Sequence, residues 1–85
     1  MGQEMASIAI TITNVASFQR TFRIVDNVAG GQRTLTFSPF ESKSLGIVSD
    51  DKTENGYGSI SYEDINQNDD PVTVELISNG DEIRV

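Results

Sequence analysis

Apolar and polar residues alternate along most of the chain. In residues 6–13, the side chains of Ile8, Ile10 and Ile12 fall on one face, and small or hydroxyl side chains fall on the other. A two-residue period rich in β-branched side chains is typical of a strand with one buried face, whereas a helix needs apolar residues three and four positions apart. This segment is therefore predicted to be a β-strand.

Six further segments show strand-like alternation, and clusters of turn-forming residues separate them. The seven predicted strands are residues 6–13, 18–25, 34–37, 42–48, 58–62, 72–77 and 82–85. Seven short strands without a helix predict an all-β fold, either an antiparallel β-sandwich or a small barrel. Because 85 residues allow one core, we expect a single domain over residues 1–85, with 1–5 as a flexible tail.

Asn79-Gly80 is the clearest turn signal. This pair is favoured in a two-residue type I′ turn, because both central positions need positive φ. The turn would join the last two strands in a hairpin with an apolar face formed by Val72, Val74, Leu76, Ile83 and Val85. The pairs that follow are Ser78 with Asp81, Ile77 with Glu82, Leu76 with Ile83, Glu75 with Arg84, and Val74 with Val85.

The connection around Gly30-Gly31 allows two registers. A two-residue loop would pair Ile24 with Phe37 and place Asp26 on the apolar face. A three-residue loop would instead pair Val25 with Leu35 and leave Arg23 beside Phe37. The sequence does not choose between the two.

The acidic charge is concentrated in one half of the chain. Residues 1–49 carry three carboxylates and four basic side chains, whereas residues 50–85 carry ten carboxylates and two basic side chains. The first part therefore has a net charge of about +1 and the second of about −8, which add to the −7 of the whole chain. Most of the carboxylates fall in residues 49–56 and 63–71, which bracket one strand and are expected to leave from opposite ends of a sandwich.

Several chemistries are excluded by composition. The chain has no histidine and no cysteine, so catalytic triads, thiol catalysis and the usual zinc sites are impossible. No phosphate-binding glycine loop is present, because Gly30-Gly31 precedes a strand. Adjacent carboxylates such as Asp69-Asp70 would point to opposite faces of a strand. The chain is therefore predicted not to be an enzyme.

One acidic segment has the spacing of a calcium loop. Asp64, Asn66, Asn68 and Asp70 alternate, and Glu75 is the twelfth residue counted from Asp64, as in an EF-hand loop. Asp69 and Pro71 depart from that pattern, since its sixth position needs glycine. These four residues are the candidate metal ligands, and calcium is the candidate ion; the alternative is a solvated loop with side-chain-capped turns.

Two other segments offer weaker binding motifs. The run Asp50, Asp51, Glu54 and Asn55 supplies oxygen ligands without a recognisable spacing. Tyr57 and Tyr62 flank a short strand and are candidates for a carbohydrate platform, although tyrosines in a β-domain more often pack in the core.

Charge also bears on partners. Arg20, Arg23, Arg33 and Lys43 could form a small basic face, but a net charge of −7 opposes binding to nucleic acid. We expect these four side chains to pair with the acidic loops or with an acidic neighbour.

No apolar run approaches the roughly 20 residues that cross a bilayer, so membrane insertion is not expected. The residues indicate no cellular location.

The segment from Leu35 to Leu45, with Pro39, Glu41 and Ser42 in its turn, resembles small immunoglobulin-like sandwiches of phage structural and bacterial surface proteins. Phe40 stands where those modules commonly have glycine. The resemblance implies an immunoglobulin-like sandwich of about seven strands in a non-enzymatic module, most simply a virion accessory or decoration protein of a capsid or tail. It would act as a homo-oligomer or docked on a larger protein partner. The alternatives are an acidic DNA-mimic inhibitor of a basic protein, and a calcium- or carbohydrate-binding module.

Overall fold

The computed structural model describes residues 5–53 and 55–85, and within these ranges it contains seven β-strands and no helix. Their ends differ from the predicted ends by two residues at most, so the all-β prediction is confirmed. The strands are β1 (Ser7–Thr13), β2 (Arg20–Asp26), β3 (Gln32–Phe37), β4 (Ser42–Val48), β5 (Gly58–Asp64), β6 (Val72–Ile77) and β7 (Glu82–Arg84).

The seven strands form a sandwich of two sheets. Sheet A has three strands in the order β4-β1-β7, and sheet B has four in the order β3-β2-β5-β6. Neighbouring strands are antiparallel throughout sheet B and between β1 and β4, but β1 and β7 run parallel. The predicted sandwich is confirmed, and the expectation of a wholly antiparallel arrangement is wrong for this one pair.

The core lies between the sheets and is built from the alternating apolar positions. Phe22 occupies its centre, and its ring meets the rings of Phe37 and Tyr62 edge to face, with centroids 6.0 and 5.9 Å apart. Complete burial of an aliphatic or aromatic side chain contributes about 1.5–3 kcal/mol. The buried apolar residues are Ile8, Ile10, Ile12, Phe22, Ile24, Phe37, Leu45, Ile47, Ile60, Ile77, Ile83 and Val85.

The hairpin predicted at Asn79-Gly80 does not form. Residues 78–81 make a β-turn, in which the Asp81 N–H donates to the Ser78 carbonyl at 3.0 Å. Of the two central residues only Gly80 has a positive φ, of 91°, whereas a type I′ turn needs positive φ at both. The Asn79 Oδ1 instead accepts the Ala9 N–H at 2.8 Å, which ties the turn to β1.

This turn carries the chain from sheet B to sheet A. Strand β7 pairs with the free side of β1, where Ile12 lies opposite Ile83. The predicted pairs across β6 and β7, including Glu75 with Arg84, are therefore wrong, because these strands belong to different sheets. The sequence correctly indicated a turn at residues 78–81, but its type differs from the predicted one, and the pairing depended on an open strand edge seventy residues earlier in the chain.

Both registers predicted for the β2–β3 connection are also wrong. Ile24 pairs with Arg33, and the Asp26 N–H donates to the Gly31 carbonyl at 2.7 Å, so the loop comprises the four residues 27–30. The Asp26 carboxylate explains the length. Its Oδ1 accepts the N–H groups of Val28 and Ala29, each at 3.0 Å, and its Oδ2 accepts the N–H of Val48 in the other sheet at 2.9 Å.

The connections emerge from two opposite ends of the sandwich. Residues 14–19, 38–41 and 65–71 lie at one end, which we call the Phe40 end. Residues 27–31, 49–57 and 78–81 lie at the other, which we call the Leu76 end. The seven-residue strands separate the ends by about 20 Å, at ~3.3 Å per residue. The two acidic loops thus leave from opposite ends, as expected.

Candidate interaction surfaces

The two most exposed large apolar side chains share an unusual backbone conformation. Leu76 is 71% exposed and Phe40 is 64% exposed. Their φ angles are 57° and 58°, and no other non-glycine residue in the described ranges has a positive φ. This conformation costs an L-residue about 1–2 kcal/mol and is rare for bulky side chains. Core burial does not offset that cost, because both side chains face solvent.

Phe40 lies in the turn between β3 and β4. The Glu41 N–H donates to the Ser38 carbonyl at 3.0 Å, and the Ser38 N–H donates to the Glu41 Oε1 at 2.8 Å. With Pro39 at the second position and positive φ at the third, the residues form a type II turn, in which the third position favours glycine. The turn therefore holds an aromatic side chain at a position best suited to glycine.

A buried asparagine braces this end of the molecule. Asn14 is fully buried, and its Nδ2 donates to the carbonyls of Phe18 and Ser38 at 3.0 and 3.1 Å, while its Oδ1 accepts the Ala16 N–H. The Phe40 N–H in turn donates to the Ala16 carbonyl at 3.1 Å. The β1–β2 loop and the β3–β4 turn are thereby fixed against each other.

Three exposed apolar side chains stand on the braced loops. Phe18 and Val15 come from the β1–β2 loop and are 60% and 44% exposed, and Phe40 comes from the adjacent turn. We call these three residues the Phe40 tip. Next to the tip, Lys43 lies 3.7 Å from Glu41, so these two charges compensate each other. The tip is an apolar point beside a paired lysine and glutamate.

Leu76 owes its position to an irregularity in the edge strand β6. Gly58 pairs with Ile77, and Ile60 pairs with Val74, so two steps along β5 correspond to three along β6. The extra residue is a β-bulge, which shifts the alternation and turns Ile77 into the core in place of Leu76. The predicted position of Leu76 on the apolar face is therefore wrong.

The bulge forms one wall of a groove at the Leu76 end. The groove has a volume of about 190 Å³, and its lining includes apolar surface from Val28, Tyr57 and Leu76 together with Asp50, Ser59 and Glu75. Tyr57 is about half exposed there. Apolar walls and two carboxylates are thus combined in a single depression.

A second cavity, of about 240 Å³, lies between the edge strands β3 and β4. Its lining includes apolar side chains of Ile24, Leu45 and Ile47 together with the charged residues Asp26 and Arg33. The Asp26 carboxylate accepts three backbone N–H groups, so its hydrogen-bonding capacity is largely used in holding the fold.

The predicted calcium ligands lie at the Phe40 end. Asp64 is the last residue of β5, and its side chain is only 8% exposed. Its Oδ2 lies 3.2 Å from the Arg20 Nε, and its Oδ1 accepts the Asn66 N–H at 2.9 Å. Asn66, Asn68 and Asp70 are exposed in the loop that follows. No group of three or more described carboxylates is arranged to hold a metal ion, and calcium binding by this loop stays a prediction.

The other acidic run is organised by its own backbone. The buried Ser49 Oγ donates to the carbonyls of Asp51 and Thr53 at 2.8 and 3.1 Å. The Asp50 Oδ1 accepts the Tyr57 N–H at 2.8 Å, and the Asp51 Oδ1 accepts the Lys52 N–H at 2.6 Å. Asn55 is exposed, and Glu54 lies outside the described residues.

The two tyrosines do not form a shared platform. Tyr62 packs against Phe22 in the interior, while Tyr57 lines the groove at the Leu76 end. A carbohydrate platform that uses both rings therefore has no counterpart in this arrangement.

Three of the four basic side chains pair with described carboxylates, two of which lie in the second acidic loop. The Arg20 Nε lies 3.2 Å from the Asp64 Oδ2, and the Arg23 Nη1 lies 2.6 Å from the Glu63 Oε1. Both carboxylates stand at the start of the second acidic loop. Lys43 pairs with Glu41, and its Nζ lies 5.8 Å from the centre of the Phe37 ring.

Across residues 5–53 and 55–85 no helix has the length and apolar character needed to cross a membrane. Comparisons with models of known protein families, with curated proteins and with solved structures find no match to this chain.

Of the two described non-glycine residues with positive φ, Phe40 and Leu76, one carried a partial signal in the sequence. For Phe40 the signal was the resemblance, because the similar sandwich modules commonly have glycine at that position. Leu76 gave no such signal, because its segment alternates as a regular strand and a bulge there depends on pairing with β5.

Proposed function

We propose that this chain is a non-enzymatic interaction module that joins components of a larger assembly through apolar contact points at its two ends. One observation carries the proposal. The two most exposed large apolar side chains, Phe40 and Leu76, are also the two described non-glycine residues with a strained backbone, and they lie at opposite ends. Such strain persists where surrounding structure over-determines it, and it is concentrated at functional sites.

The way the tip is held supports this function. Large aromatic side chains supply much of the binding energy in protein interfaces, and binding is tighter when they are ordered before contact. The hydrogen bonds of Asn14 and of the Phe40 N–H fix the loops that carry the two rings. Because the loops that carry Phe18 and Phe40 are already ordered in the free protein, binding loses less conformational entropy there.

The setting that we propose is a virion capsid or tail, in line with the resemblance of residues 35–45 to modules of phage structural proteins. The module would act as a homo-oligomer or docked on a larger protein. A DNA-mimic inhibitor would need a continuous acidic stripe, and the separation of the acidic loops gives that alternative less support.

The test compares wild-type protein with Phe40→Gly and Phe18→Ser variants as immobilised baits and in sedimentation velocity. Gln67→Ser, an exposed change in a loop at the same end, is the matched control. We expect the wild type and the control to oligomerise or to retain a common protein from an extract of the native source. Both tip variants should lose the contact made through the Phe40 end and form smaller complexes or retain less of that protein, while their unfolding midpoints show that they remain folded.

Two results would overturn the proposal. One is a wild-type monomer at high concentration that retains no protein. The other is that the Phe40→Gly and Leu76→Asn variants form the same complexes, to the same extent, as the wild type does.

A further inference from the structure

The groove at the Leu76 end combines apolar walls with negative charge, and this combination indicates which kind of side chain would bind there. Val28, Tyr57 and Leu76 provide the walls, and Asp50 and Glu75 stand among them. We propose that the groove binds a lysine or arginine side chain from an extended segment of a protein partner. The inference rests on the proposed function, since it names the chemistry recognised at one of its two contact points.

The walls suit the aliphatic part of a long basic side chain. Lysine and arginine carry three or four methylene groups that pack on apolar surface while the charged group reaches polar surroundings. The exposed Tyr57 ring adds a face that attracts a cation. Leu76 closes the groove only because the bulge turns it away from the core. The strained backbone at Leu76 therefore places its side chain where it forms one wall of the groove.

The carboxylates in the groove, Asp50 and Glu75, take part in none of the described ion pairs. The Asp50 Oδ1 accepts the Tyr57 N–H. No lysine or arginine is among the residues that line the groove. A purely apolar occupant would remove water from these charges without replacing it, which is unfavourable. A basic occupant supplies the missing charge.

The surrounding chain extends the same charge preference. Residues 63–82, which contain β6, hold seven carboxylates and no lysine or arginine. Two of the seven, Glu63 and Asp64, are paired with arginines of β2 at the other end of the sheet. Of the other five, Asp69 and Asp70 lie at the Phe40 end, Glu75 is the only charged residue of β6, Asp81 lies in the turn at the Leu76 end, and Glu82 begins β7. The charge close to the groove thus favours a basic segment over a neutral or acidic one.

The test uses a defined probe, the peptide acetyl-Thr-Val-Arg-Val-Thr-amide, in a ¹H–¹⁵N titration at low salt. The matched probe has glutamine in place of arginine. We expect shifts centred on Tyr57, Ser59 and Leu76, with the glutamine peptide bound about fivefold more weakly, the size of one exposed ion pair. Glu75→Gln should weaken the arginine peptide by a similar factor. Asp69→Asn makes the same charge change at the opposite end and should leave affinity within about twofold.

Three results would overturn the inference: no binding of the arginine peptide, equal binding of both peptides, or equal weakening by Glu75→Gln and Asp69→Asn. The last would show attraction by the overall field without a site. Each of these leaves the proposed function standing if assembly still depends on Phe40 and Leu76. The proposed function fails separately, through variants at those two residues that assemble normally.

Discussion

The backbone at position 40 favours glycine, and the side chain there gains little from the fold because most of its surface is exposed. Phe40→Gly is therefore expected to stabilise the protein by ~0.5–1 kcal/mol, after subtraction of the extra entropy that glycine loses on folding. Urea unfolding monitored by circular dichroism measures the change. Most substitutions of an aromatic residue destabilise a protein, so an increase in stability would indicate backbone strain at position 40.

Phe40→Ala separates the backbone effect from the loss of the ring. Alanine also lacks the ring but keeps the strained backbone, so the glycine variant should exceed it in stability by ~1 kcal/mol. Equal unfolding midpoints for the two variants would show that the backbone at position 40 is unstrained, and strain would then give no reason to assign a function to Phe40.

Asn14 shows how a single buried polar side chain can set the shape of one end. Asn14→Ala would leave the carbonyls of Phe18 and Ser38 without their donor in a partly buried site. Because an unsatisfied buried group costs ~1–3 kcal/mol, we expect a loss of ~1–3 kcal/mol in the free energy of unfolding. Asn66→Ala, at an exposed position, is the control and should change stability by less than ~0.5 kcal/mol. Similar losses in both variants would contradict the bracing role.

At the scale of elements, local pattern predicted the strands well, because alternation reports directly on which face is buried. The strand β1 is the clearest case, since Ile8, Ile10 and Ile12 all lie in the core as their spacing requires. Strand pairing was predicted less well, because β6 and β7 lie in different sheets although they are adjacent in sequence, and β2 pairs with β3 in neither of the two expected registers. The partner of β7 is β1, and no local residue pattern encodes a contact over seventy positions.

The candidate site was less predictable than the fold for the same reason. The acidic loops could be assigned to opposite ends because one strand separates them in the chain. The groove, in contrast, draws its walls from the β2–β3 loop, the β4–β5 loop and the bulge in β6. Its existence depends on tertiary pairing, and the regular alternation of residues 72–77 even favoured the opposite orientation for Leu76.

The parallel pairing of β1 with β7 can be tested by cross-linking, because the chain has no cysteine of its own. Thr11 and Glu82 are register partners on the outer face of sheet A. A Thr11→Cys/Glu82→Cys variant should therefore react efficiently with a short thiol-specific cross-linker. A Glu75→Cys/Arg84→Cys variant, which tests the pairing of β6 with β7, should not. Efficient cross-linking of the second pair alone would contradict the topology.

Glycine positions on β4 and β5 offer a matched test of how the sheets pack. A Cβ atom at Gly58 would lie 2.5 Å from the Ile47 Cδ1 and 3.2 Å from the Ile8 Cδ1. Gly58→Ala is expected to lower stability by ~1–3 kcal/mol, since the buried isoleucines must shift. Nothing lies within 4 Å of the corresponding atom at Gly46, so Gly46→Ala should be neutral or stabilising. Equal tolerance at both positions would show that the sheets lie farther apart at Gly58.

On the scale of the whole molecule, the charge asymmetry along the sequence does not become one acidic surface. The two acidic loops lie at opposite ends, and the arginines of β2 neutralise the first two carboxylates of the second loop. What distinguishes the ends is the charge beside their apolar residues. Near the Phe40 tip, Lys43 and Glu41 compensate each other, whereas Asp50 and Glu75 in the groove have no described cation beside them.

This difference predicts that the two ends respond differently to salt. Raising the salt concentration from ~0.1 to ~1 M shortens the screening length from ~10 to ~3 Å, which weakens attraction to an exposed basic group but leaves apolar contact intact. Complexes formed through the Leu76 end should therefore dissociate over this range, and those formed through the Phe40 tip should persist. Sedimentation velocity of Phe40→Gly and Leu76→Asn variants, each with one end intact, separates the two contributions. Equal salt dependence in both variants would mean that a common electrostatic attraction, rather than two chemically distinct contacts, holds the assembly together.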